Sequence, residues 1–121
     1  DIWTDDKIKF LDPAMKSGVF LREITNRLLD GLEEKIPDIQ ERLEHILKNQ
    51  VYGVATTKLT SEISRRTLYC SKKANNEFSI IEFDSEDGNL KFFETEHFWA
   101  DGKIGNTVIV FVFFKNILSP A

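Results

Sequence analysis

Lys9-Phe10-Leu11-Asp12-Pro13-Ala14-Met15-Lys16-Ser17-Gly18-Val19-Phe20-Leu21 is the stretch on which the rest of the chain turns. Ile8, Phe10 and Leu11 form a short apolar run, as at the end of a strand. Pro13 has no N–H to give to a ladder, so the strand stops at Asp12. Ser17 is a residue type that caps helices, and Gly18 lets a ligand or a backbone come close. A long helix then opens. Its N-terminus carries unpaired N–H groups and partial positive charge, which suit an anion. Asp12 offers a carboxylate at the strand end beside it. Together they suit a zwitterion such as an amino acid with both termini free. The plain alternative is an ordinary strand–turn–helix with a proline in its turn.

The run Asp12-Pro13-Ala14-x-x-Ser17-Gly18-x-Phe20-Leu21 resembles the first cofactor-binding motif of DNA adenine-N6 methyltransferases, most closely those of type II restriction–modification systems. The resemblance implies an α/β fold: a Rossmann-like fragment of an S-adenosylmethionine-dependent methyltransferase, with a parallel βαβ core and a β-hairpin extension. It implies a cofactor site at Asp12, Pro13, Ala14, Met15, Lys16, Ser17, Gly18 and Phe20. Asp12 would face the ammonium of the methionine end, and Ala14 to Gly18 would cradle its carboxylate and the sulfonium region. Met15 stands where Cys is usual in that family, and Lys16 where many relatives carry Gly.

Outward from this motif, Phe20, Leu21, Ile24, Leu28 and Leu32 recur at helical spacing and predict a buried stripe on a helix from about Gly18 to Lys35. Pro37 ends it and opens a second helix to Asn49, with Ile39, Leu43, Ile46 and Leu47 inward and His45 at the boundary. Val51 to Thr56 reads as the next strand. Strand, helices, strand make a right-handed crossover with a parallel pair. In the resembled family an acid after Gly-Val binds the ribose. Ala55 occupies that place here, leaving only Thr56 or Thr57 as hydroxyls nearby. Thr57 to Lys73 predicts a third helix with Leu59, Ile63 and Leu68 inward. Arg65, Arg66, Lys72 and Lys73 gather around Tyr69, a combination that holds phosphate and stacks a base, or merely complements the end of a helix. The pattern from Leu59 to Cys70 also resembles the same branch. Cys70 reads as a buried or half-buried structural thiol.

Phe78–Phe83 and Leu90–Glu94 predict the two strands of a hairpin around the Asp87-Gly88 turn. Glu96 to Lys103 reads as a further turn. The resemblance ends there, so residues 1–103 are expected to form a partial cofactor-binding domain, with 104–121 a divergent strand and tail of the same domain. Val108–Phe114 is apolar and β-branched, as in a buried strand, and too short to span a bilayer.

The chain has 121 residues, 41% of them hydrophobic and 30% charged, enough for a packed core and against global disorder. Its net charge of -4 is unlike that of a self-sufficient nucleic-acid binder. One cysteine excludes an internal disulfide, and the acidic start is unlike a signal peptide, so a cytoplasmic setting is expected. The abrupt start near a strand is what a fragment would show. With one cysteine and two histidines, no zinc-type cluster and no nucleophile–base set is recognisable. Adenine-N6 methyltransferases also carry Asn or Asp followed by Pro-Pro and an aromatic, which holds the flipped base. Pro13, Pro37 and Pro120 are never adjacent, so that motif is absent and no catalytic residue is assigned. The resulting expectation is the S-adenosylmethionine-binding portion of a DNA methyltransferase, meeting DNA through a full-length enzyme. The alternatives are a degenerate structural module, dimerising through exposed sheet edges, and a weak nucleic-acid binder using Arg65, Arg66, Lys72 and Lys73.

Overall fold

The computed structural model describes residues 1–92, together with the backbone of two short strands at 99–100 and 103–104. Six elements form the body: β1 (Phe10–Asp12), α1 (Val19–Gly31), α2 (Ile39–Asn49), β2 (Val51–Ala55), α3 (Lys58–Tyr69) and β3 (Leu90–Phe92). The strands make one parallel sheet in the order β1-β2-β3. β1 and β2 are the parallel pair that the crossover requires. Parallel crossovers are nearly always right-handed, and two of that hand stepping the same way put their helices on one face. α1 packs there against both α2 and α3. Val51 and Ala55 of β2, Leu90 of β3, and Leu21, Leu28, Ile46, Leu47 and Leu68 of the helices close one core.

The third strand is a departure from expectation. Phe78–Phe83 forms no strand and no hairpin; β3 joins β2 in parallel instead. Residues 71–89 wrap the end of α3, with Ile80 donating to the Tyr69 carbonyl (2.9 Å) and Phe83 to that of Ala74 (3.3 Å). Asn89 ties the wrap to α2 through Nδ2, which donates to the Leu47 and Lys48 carbonyls (3.1 and 2.7 Å). Gly88, at φ +56°, makes the tight turn before β3. Ile81 and Phe83 are buried, and the Phe83 ring lies against Tyr69 at 4.7 Å. That burial is worth more to these side chains than a two-stranded ladder in water. A second small pair, β4 (Trp99–Ala100) and β5 (Lys103–Ile104), is antiparallel; the rest of Glu96–Lys103, expected to be a turn, lies outside the described residues. The strand expected at Val108–Phe114, like the rest of the 105–121 tail, lies outside the described residues.

α1 ends at Gly31, short of Lys35; a Cβ at Gly31 would stand 2.0 Å from the Trp3 carbonyl, so glycine lets the N-terminal segment pack against that end. Arg42, buried on α2, donates to the Leu29 carbonyl (3.0 Å) at that end. α1 and α2 bury their expected stripes apart from one residue each, Phe20 and Ile39, whereas the stripe of α3 is rotated. Phe20, Ile39, Leu59 and Ile63 are exposed, and α3 turns Ser61, Ser64, Arg65 and Leu68 inward. Small hydroxyl residues let α3 come close to the loop after β1, and Leu59 and Ile63 face outward as a result. Cys70, expected to be sheltered, is exposed at the αL end of α3. His45 sits at the boundary and donates to the Asp6 carbonyl (2.8 Å).

Two sites test this packing. A Cβ on Gly53 would lie 2.4 Å from the Met15 sulfur and 2.8 Å from Leu21 Cδ1. Gly53→Ala is expected to cost about 1–3 kcal/mol by overpacking. Combined with Met15→Ala it should cost less than the sum of the single changes, a coupling of about 0.5–3 kcal/mol, measurable by urea unfolding of the four proteins. Arg65 is 4% exposed; its guanidinium donates to the Lys72 and Leu90 carbonyls and pairs with Asp87 (3.3 Å). Arg65→Met should lose about 1–3 kcal/mol for each carbonyl left without a donor. Arg66→Ser, on the exposed side, should change stability by less than about 0.5 kcal/mol. Thermal melting of both variants checks the contrast.

Candidate functional site

The loop between β1 and α1 is pinned from three sides. Met15 donates its N–H to the Val54 carbonyl (2.9 Å), holding the loop across the end of β2. Ser64 donates its hydroxyl to the Lys16 carbonyl (2.9 Å), and Thr67 donates to the Ser17 carbonyl (2.6 Å). Gly18 then turns the chain at φ +82°, and a Cβ there would stand 3.0–3.1 Å from Leu68 and the Ser64 backbone. What approaches Gly18 is thus the backbone of α3. A left-handed turn and a close helix both demand glycine at this position.

Gly18, not Ser17, is the N-cap of α1, and it supplies no side-chain acceptor. The first turn of α1 holds no acid either. The other two helices are capped by side chains: Asp38 accepts from Gln40 N–H on α2 (3.0 Å), and Thr57 from Thr60 N–H on α3 (3.1 Å). The first turn of α1 is therefore left with donors and partial positive charge that no side chain of its own satisfies. Asp12, half-buried at the end of β1, accepts from the Ala14 N–H through Oδ1 (3.1 Å) and belongs to none of the described ion pairs. That Asx turn shapes the loop and leaves the second carboxylate oxygen for another donor.

The eight loop residues divide by placement. Pro13, Ala14, Lys16, Ser17 and Phe20 are exposed around the α1 N-terminus, with Asp12 and the Gly18 backbone beside them. Met15 is the exception: it is 2% exposed, its side chain lies in the core over Gly53, and its N–H is taken by Val54. Met15 builds the floor of the loop and cannot line a pocket above it with its side chain. The exposure of Lys16 carries its ammonium away from the core. An apolar cleft of about 360 Å³ adjoins the loop, walled by Trp3, Phe10, Leu11, Phe20 and Ile24, with Glu23 and Arg27 at its rim. Sequence reasoning missed it, although the aromatic Trp3 seven positions before Phe10 was a signal. The two rings stack at 5.3 Å.

At the end of β2, Ala55 is fully buried and offers nothing to a ribose. The Thr57 hydroxyl is engaged with Thr60, which leaves Thr56 as the exposed hydroxyl there. The four cations proposed for nucleic acid are not one surface. Arg65 is inside the protein, and Lys73 pairs with Glu86 (3.3 Å), so only Arg66 and Lys72 stand as exposed cations outside the described ion pairs. Among the described residues no cluster of His, Cys, Asp and Glu could hold a metal, and no helix is long and apolar enough to cross a membrane.

No family model matches the chain, and no solved structure matches it. One curated protein does. Over 110 residues the chain is 36% identical to a Mycoplasma pneumoniae protein described as an uncharacterized adenine-specific methylase. The match takes in 83% of this chain and 26% of that protein, so the chain spans about a quarter of its relative's length. Most of this chain is thus similar to one part of a longer protein described as a methylase, and the similarity supports a methyltransferase fragment.

Proposed function

We propose that the chain is the S-adenosylmethionine-binding portion of a DNA adenine-N6 methyltransferase of the type II restriction–modification kind. The observation that carries this reading is the uncapped N-terminus of α1, set beside the Asp12 carboxylate in a loop held by β2 and α3. The relative's description as an adenine-specific methylase supports it.

The methionine end of the cofactor fits these residues. Its carboxylate would take the free donors of the first turn of α1, and Asp12 would accept from its ammonium. Ala14 and Gly18 keep side chains out of the way. The ribose end fits less well, since Ala55 has no acceptor and only the Thr56 hydroxyl is exposed nearby. When bound, the cofactor supplies an activated methyl group. The residues described here bind and orient; the groups that hold a target amine are absent from this sequence, with no Pro-Pro pair in it. Methyl transfer to DNA is therefore a property proposed for a longer polypeptide, which would also carry the DNA contacts.

Calorimetric titration of the chain with S-adenosylmethionine tests the reading. Saturable heat and a raised melting temperature are expected. Asp12→Asn removes a charge-assisted hydrogen bond and is expected to weaken binding by about tenfold or more. Absence of heat and of any melting shift at millimolar cofactor would overturn the assignment.

A further inference from the structure

Two serines turn inward on the same face of α3, both fully buried, and their hydroxyls have different partners. Ser61 donates to the Lys58 carbonyl (2.6 Å), one turn back in its own helix. Ser64 donates to the Lys16 carbonyl (2.9 Å), 48 positions earlier, in the β1–α1 loop. Thr67 holds the next carbonyl, that of Ser17 (2.6 Å), but the Ile63 carbonyl lies 3.1 Å from the same oxygen and competes for its one proton. Among the described residues the Ser64 hydroxyl has no such second acceptor. It is also buried where water cannot take its place. The Lys16 carbonyl stands two residues before Gly18, the N-cap of α1. Arg22 is the first residue of α1 to reach a helical acceptor, the Gly18 carbonyl (2.9 Å), which leaves the N–H groups of Val19, Phe20 and Leu21 ahead of the ladder. A carbonyl released at Lys16 would bring partial negative charge toward those same donors, and either bond them or repel an arriving anion. Gly18, at φ +82°, is the flexible point at which such a turn could occur.

We propose that Ser64 is a positioning residue for the methyl donor. By holding the Lys16 carbonyl against α3, its hydroxyl keeps the first turn of α1 for the ligand's carboxylate. The Ser64 backbone, 3.1 Å from where a Cβ on Gly18 would stand, sets how near α3 comes; the hydroxyl sets which way the loop carbonyl points. This inference rests on the S-adenosylmethionine reading and adds to it a residue that touches no ligand.

The test titrates S-adenosylmethionine into the full chain and into its Ser64→Ala, Ser64→Cys and Ser61→Ala variants, well below the melting temperature of each. Carbonyl ¹³C resonances of the same proteins without ligand report the loop. Ser64→Ala is expected to weaken binding by about tenfold and to shift the Lys16 carbonyl resonance. Ser64→Cys keeps the size of the side chain with a weaker donor, and should fall between Ser64→Ala and the unaltered chain. Ser61→Ala removes an equally buried hydroxyl from the same face. It should leave affinity within about twofold and the Lys16 resonance in place. Three results overturn the proposal and leave the cofactor reading standing: unchanged affinity in both Ser64 variants, a Lys16 resonance that does not move in Ser64→Ala, or equal losses from Ser61→Ala and Ser64→Ala, the mark of a packing effect. Absence of heat from the unaltered chain overturns the cofactor reading, and the positioning role with it.

Discussion

The three backbone carbonyls and one N–H that tie the β1–α1 loop to its neighbours organise the molecule. Val54 takes the Met15 N–H, and Ser64 and Thr67 reach the carbonyls of Lys16 and Ser17. A loop held at successive residues cannot relax onto the first turn of α1. Ser17 therefore points its carbonyl at α3 instead of folding its hydroxyl over the helix end, and Gly18 makes the turn. The result is a helix N-terminus with donors left open and a carboxylate a few residues away. In water alone that arrangement would be a small loss of stability, since a side-chain cap is worth about 1 kcal/mol. The loop's tethers over-determine it.

The same tethers explain the odd face of α3. A helix that met this loop with Leu59 and Ile63 would hold it at the distance of a leucine side chain. Meeting it with Ser61 and Ser64 brings the α3 backbone against Gly18 and puts hydroxyls within reach of carbonyls. Arg65, next on that face, is carried inside. It is tolerated there because two carbonyls and Asp87 receive its donors. Its burial serves the junction between α3, the 71–89 wrap and β3, and it takes the centre out of what looked like a basic patch. Tyr69 closes the same junction: it is fully buried, which pushes its phenol well above the usual range, and it accepts the Asn89 N–H (3.2 Å).

Met15 and Gly53 form a matched pair across the core. The thioether occupies the space that a side chain on β2 would need. Met is flexible enough to fill such a gap. A Met in place of the smaller Cys usual in the resembled motif is thus accommodated below the loop and not above it. The Met15 departure bears on packing, whereas Ala55 bears directly on what the end of β2 can bind.

Much was legible from residue order. Pro13 ended β1 where it had to, the helical spacings located α1 and α2, and the Asp12-to-Leu21 run marked the strand–loop–helix junction. Local steric and periodic rules act over a few residues, and those rules are written in the chain. Which face of α3 turns inward was decided elsewhere, by carbonyls about fifty positions earlier. So was the fate of Phe78–Phe83, whose alternation suits a strand but whose Ile81 and Phe83 gain more by filling the core beside Tyr69. Arg65 reads as surface charge until the carbonyls of Lys72 and Leu90 come round to meet it. Sequence alone determined β1, β2, the helices and the motif; only tertiary structure decided the course of residues 71–89 and which polar groups find partners, because those partners are distant in the chain and adjacent in space.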